Sequence, residues 1–91
     1  HMQVLGLSRI ATDDTYIYYR RNYTAYASLQ MLSKTTEIKI SFTIEIGPLG
    51  DKNVYVDIDP AADIDYPLIP VKSALKAYIL KMDNEGKLPC A

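Results

Sequence analysis

Between Glu37 and Ile46 the chain alternates without a break. Ile38, Ile40, Phe42, Ile44 and Ile46 fall on one side, and Glu37, Lys39, Ser41, Thr43 and Glu45 on the other. A period of two with β-branched residues on the apolar side predicts a half-buried antiparallel strand. Residues 53–59 repeat the pattern, with Val54, Val56 and Ile58 opposed to Tyr55, Asp57 and Asp59. Gly47-Pro48-Leu49-Gly50-Asp51-Lys52 lies between them as a turn cluster, so the two runs form a hairpin. Matching apolar faces restricts the register. Ile44 opposite Val54 is preferred; it leaves Gly47 to Asp51 as the loop and sets Lys39 opposite Asp59. A register with Ile46 opposite Val54 stays open.

Upstream, residues 3–11 read as a strand, Asp13-Asp14 as a turn, and residues 15–20 as a strand rich in tyrosine. Residues 22–33 fit two patterns. Tyr23, Ala25, Ala27, Leu29 and Met31 alternate as in a strand, while the Ala, Leu, Gln and Met content and a capping Asn22 suit a helix. Strand is preferred, because residues 33–37 then turn directly into the next strand.

The last third changes period. Residues 59–70 contain three prolines and no repeat, which predicts an ordered loop, with Leu68 and Ile69 expected to close one end of the core. From Pro70 onward, Val71, Ala74, Leu75, Tyr78, Ile79 and Met82 form one stripe at helical spacing, with Lys72, Lys76 and Lys81 off it. Gly86 suits the residue just past a helix end, and Pro89 forbids continuation, so residues 87–91 are expected to be a flexible tail. The predicted fold class is α+β: an antiparallel meander sheet of about five strands with one C-terminal helix packed on its apolar face.

Composition narrows function mostly by exclusion. The 91 residues suffice for one domain, 1–91. A domain of this size buries only about 60–65% of its unfolded surface, so a partner or a second copy would add useful stability. His1 reads as a cloning remnant ahead of Met2, and no other histidine exists. Histidine acid–base chemistry, histidine-activated nucleophiles and the commonest metal ligand are therefore missing. The single cysteine, Cys90, cannot form an internal disulfide or a zinc site, which favours a cytoplasmic setting. No secretory signal and no membrane-spanning run are expected. Ten basic and eleven acidic residues give a net charge of −1, with no global pull toward nucleic acid or anionic lipid.

Two stretches could carry binding chemistry. Residues 15–26 hold five of the eight tyrosines beside Arg20 and Arg21. Tyr16, Tyr18, Tyr19, Arg20, Arg21 and Tyr23 have the composition of a protein interface, where Tyr and Arg supply anchors. Rings and guanidinium groups also suit single-stranded nucleic acid, although two arginines make a small phosphate footprint. As a strand, Tyr16, Tyr18 and Arg20 share one face and Ile17, Tyr19 and Arg21 the other. The bland alternative is that tyrosine favours strands and keeps its hydroxyl wet.

The second stretch is acidic: Asp57, Asp59, Asp63 and Asp65. Oxygen ligands attract Ca²⁺ or Mg²⁺, but the calcium-loop spacing is absent, and a solvated patch or a site for a basic partner is preferred. Gly47-Pro48-Leu49-Gly50 has the letters of a backbone-clamping GxxG loop, but that loop joins helices and this one joins strands. Leu49 is an apolar residue near the tip, free to enter a partner or fold back. No catalytic pairing, cofactor motif or metal site is recognisable. The expected function is a small non-enzymatic protein–protein interaction domain (regulator, inhibitor, adaptor or assembly subunit) that binds another protein or a second copy of itself, with residues 3–11 one candidate edge for self-pairing. Single-stranded nucleic-acid binding is the alternative.

Overall fold

A computed structural model describes residues 2–12, 19–62, 64 and 66–89. Four strands follow one another: β1 (Gln3–Thr12), β2 (Arg20–Gln30), β3 (Thr35–Ile46) and β4 (Lys52–Ile58). One helix, α1 (Leu68–Asn84), closes the chain. The strands pair antiparallel in the order β1-β2-β3-β4, so the sheet is a meander with the helix on its apolar face. The α+β class is as the alternation predicts.

The sheet has four strands among the described residues, against about five expected. Residues 15–18 lie outside the described part, as do Asp13 and Asp14. The expected break near residue 21 is continuous strand. Arg20 already faces Glu45 and Arg21 faces Ile44, because β3 is long enough to pair with them. Residues 22–30 are strand rather than helix, and the chain turns at 31–34, where the Met31 amide donates to the Lys34 carbonyl at 2.8 Å. In the second hairpin Ile44 sits opposite Val54, and the Asp59 amide donates to the Lys39 carbonyl at 3.0 Å. The preferred register is the one adopted.

Period two places Tyr23, Ala25, Ala27 and Leu29 of β2 and Ile38, Ile40, Phe42 and Ile44 of β3 on one buried face. Val71, Leu75 and Ile79 of α1 meet them, each fully buried and each contributing on the order of 1.5–3 kcal/mol by leaving water. The helix backbone comes nearest to β4 and β1, the outer strands, as expected when a twisted sheet coils about a helix laid over its middle.

Both helix ends differ from expectation. The helix begins at Leu68, two residues before Pro70, because Pro70 then occupies the first turn, where its missing N–H has no helical acceptor to lose. Leu68 is therefore on an exposed first turn and Ile69 is 81% exposed; neither closes the core. At the other end Gly86 takes a left-handed φ of 69°. Its amide donates to the Asp83 carbonyl at 3.1 Å, and the Lys87 amide donates to the Met82 carbonyl at 2.9 Å. This paired reversal turns the chain back over the end of the core. Residues 87–89 are consequently not a loose tail: Leu88 is only 8% exposed and the Tyr23 hydroxyl donates to the Pro89 carbonyl at 3.3 Å.

Candidate functional site

The structure divides the tyrosine–arginine stretch. Tyr16 and Tyr18 lie outside the described residues. Tyr23 is 2% exposed and stacks on Phe42, with ring centroids 4.9 Å apart and planes inclined by 17°. It is a core residue and not part of an exposed surface, because its position in β2 shares the face of Ala25 and Ala27. Arg21 lies on the same face and is drawn under the helix end. There Arg21 Nη2 donates to Asp83 Oδ1 at 3.0 Å, and Nη1 donates to the Tyr23 hydroxyl at 3.1 Å. Arg20 points the other way and meets Glu45 at a loose 3.9 Å. Only Tyr19 and Arg20 of the described residues in this group remain on the surface.

Asp83 ties three elements together. Lys52 Nζ of β4 donates to Asp83 Oδ2 at 2.7 Å and to Asn84 Oδ1 at 2.9 Å. The Asp83 side chain is 7% exposed, and a carboxylate in the last turn of a helix faces the negative end of the helix dipole. Burial alone would raise its pKa, but hydrogen bonds from Lys52 and Arg21, reinforced by their charges, hold it below the ordinary carboxylate value. Arg21 is likewise pushed upward: burial works against its charge, but the bond to Asp83 outweighs it. These groups satisfy each other, so the junction is structural rather than a waiting charge.

Above this junction is an apolar edge. The Ile46 amide donates to the Tyr19 carbonyl at 2.8 Å, which brings Tyr19 beside the end of β3. Tyr19, Glu45, Ile46, Gly47 and Pro48 line an open groove of 620 Å³. The β3–β4 loop beside it is held by its own backbone: the Gly47 amide donates to the Asp51 carbonyl at 2.7 Å and the Gly50 amide to the Gly47 carbonyl at 3.0 Å. Gly50 carries a φ of 85°, which L residues rarely adopt. This tied loop presents Leu49 at 95% exposure. Leu49 does not fold back on the sheet.

The acidic group is dispersed. Asp57 is exposed on the outer face of β4. Asp59 has left the strand, and its Oδ1 accepts from the Ala61 amide at 2.9 Å, fixing a turn. Asp63 and Asp65 lie outside the described residues. Among the described residues no three acidic or sulfur or imidazole groups converge as a metal would need. A shallow depression of 220 Å³ on the outer face joins Asp57 and Asp59 to Thr24, Lys39 and Ser41, with hydroxyls, one ammonium and two carboxylates in its rim.

One cluster on that face gave no sequence signal. Arg9 sits with its guanidinium carbon 4.4 Å from the Tyr26 ring centroid and 3.5 Å from Glu37. Arg9 has a φ of 50°, at an irregularity in β1 between Ser8 and Ala11. Only the extra residue of that bulge aims Arg9 across β2, and no local pattern announces it.

The profile of one protein family, the BB_0187 family, matches residues 1–84. The chain belongs to this family. The matched span contains every strand and all of α1, so the sheet–helix layers are what the chain shares with its family, while the reversal at Gly86 and the buried Leu88 fall beyond the match. No curated protein and no solved structure matches the chain. Among the described residues no helix is long and apolar enough to cross a membrane.

Proposed function

We propose that this chain is a small non-enzymatic protein-interaction domain, a regulator, inhibitor, adaptor or assembly subunit, that binds another protein through the loop end of the β3–β4 hairpin. The observation that carries this reading is Leu49, held out in water by a loop whose own hydrogen bonds keep it there. A leucine that could gain on the order of 1.5–3 kcal/mol by burial is left exposed next to an apolar groove walled by Tyr19, Ile46 and Pro48. A tied loop loses little conformational freedom on docking, so more of that gain is available as affinity. The partner is a protein surface with an apolar pocket for Leu49 and a side chain to fill the groove. A cytoplasmic setting belongs to the same proposal and rests on the single thiol.

Single-stranded nucleic acid is less well supported by these contacts. Arg21 is neutralised by Asp83, and Tyr23 has no face open for a base.

The test is retention of partners on the immobilised chain after nuclease treatment, comparing the wild type with Leu49→Asp and with Ser73→Asp on an exposed helix position. Proteins held by the wild type and by Ser73→Asp but lost with Leu49→Asp, at equal melting temperature, support the reading. Equal retention by all three, or loss on nuclease treatment alone, overturns it.

A further inference from the structure

The two edges of the sheet are built differently. β1 carries two irregularities in its pairing with β2, one between Val4 and Gly6 and one between Ser8 and Ala11, the second with Arg9 at positive φ. Bulges and an outward arginine are devices that stop an edge from accepting another strand. β4 has neither. Its pairing with β3 runs without a shift from Ile58 opposite Ile40 to Lys52 opposite Ile46, and it contains no proline. Residues 3–11 are thus the poorer edge for self-pairing and β4 the better one.

The open side of β4 can be read from its bonded side. The Asp51 carbonyl accepts from Gly47, and the Asp59 amide donates to Lys39. In an antiparallel ladder inward and outward groups alternate. The odd-numbered residues therefore turn their backbone groups to β3, and Lys52, Val54, Val56 and Ile58 turn theirs off the sheet.

We propose that a second copy of this chain docks on β4, antiparallel, about a two-fold axis through Tyr55. This names the second copy as a partner within the interaction-domain reading, but at a different surface from Leu49. Tyr55 is the midpoint of the seven-residue strand. An axis there sets Val54 against Val56 of the second copy, and Lys52 against Ile58, so every pair that must exchange hydrogen bonds is one whose backbone groups are open. On the outer face Asn53 meets Asp57 of the second copy and can donate to its carboxylate. Tyr55, 51% exposed, meets its own equivalent at the closer, non-hydrogen-bonded spacing, where rings stack. No like charges oppose each other. Moving the axis to Asp57 would set that carboxylate against itself. The result is one continuous eight-stranded sheet, four strands from each copy, with both helices on one side.

The test is solution mass by size exclusion with light scattering, from about 10 µM to about 1 mM, the range in which a small strand-pairing interface should act. The wild type is expected to move from 10.2 kDa toward twice that value. Tyr55→Lys, which places two ammonium groups across the axis, is expected to stay at the lower mass with an unchanged melting temperature. Should Tyr55→Lys not fold, Asn53→Asp takes its place: a carboxylate opposite Asp57 at both ends of the interface should weaken the dimer roughly five- to tenfold. Ser8→Lys on β1 and Leu49→Asp on the loop should dimerise as the wild type does. A wild type that stays at the lower mass throughout overturns the inference, and so does loss of the dimer with Ser8→Lys or Leu49→Asp. A monomer that still captures a partner through Leu49 leaves the interaction-domain reading standing, so the two can fail separately.

Discussion

Arg21 and Asp83, 62 positions apart in the chain, meet at 3.0 Å beneath the end of the helix. Arg20, one residue earlier, points to the opposite face and reaches Glu45 only at 3.9 Å. Two adjacent arginines therefore have different tasks. Arg20→Ala should change stability by less than about 0.5 kcal/mol, as for a surface pair. Arg21→Ala should cost about 1–3 kcal/mol, because it leaves a nearly buried carboxylate with Lys52 alone. Urea denaturation of both variants is the measurement. Equal, small losses would show that the junction contributes nothing.

The same junction predicts a pH dependence. Asp83 has a folded pKa below its unfolded one, so the folded chain holds its charged form more strongly. The stabilisation is complete above the unfolded value of about 3.9 and is lost as pH falls through the lower, folded value. The difference in melting temperature between the wild type and Asp83→Asn should be constant from neutral pH to about pH 5, then shrink below about pH 4. A gap that persists unchanged at about pH 2 would mean that the asparagine variant differs by packing, not by charge.

Phe42 stacks on Tyr23 in the middle of β3. Phe42→Ala should destabilise by about 3–5 kcal/mol, a large part of the total for so small a domain. An unchanged melting temperature would contradict a central β3.

The chain after Gly86 should behave as part of the core. Leu88→Ala is expected to cost about 2–3 kcal/mol, whereas Lys87→Ala, on an exposed side chain, should cost less than about 0.5 kcal/mol. Matching melting temperatures for the two would return residues 87–89 to the role of a loose tail.

What the alternation of side chains can encode, it did encode here. Ile38 to Ile46 and Val54 to Ile58 announce two strands, and the demand that their apolar faces agree selects Ile44 opposite Val54. Val71, Leu75 and Ile79 announce a helix and the face it buries. These are local periodicities, and burial acts on them directly. Positions that depend on another segment were not legible. Tyr23 reads equally well as an interface ring or a core ring until β2 is laid against β3 and the helix closes over it. Arg21 acquires a partner only because β2, β4 and the end of α1 converge on Asp83. Leu68, Leu88 and Leu49 are all leucines near turns, and only the path of the chain decides that Leu88 is buried while Leu68 and Leu49 meet water. The bulge at Arg9 is the extreme case: one extra residue against β2 turns a surface cation onto Tyr26 and blunts an edge that its sequence would leave open. Periodicity is a property of one segment and can be read there. Charge pairing, exposure and edge competence are relations between segments, which exist only once the sheet and helix have closed.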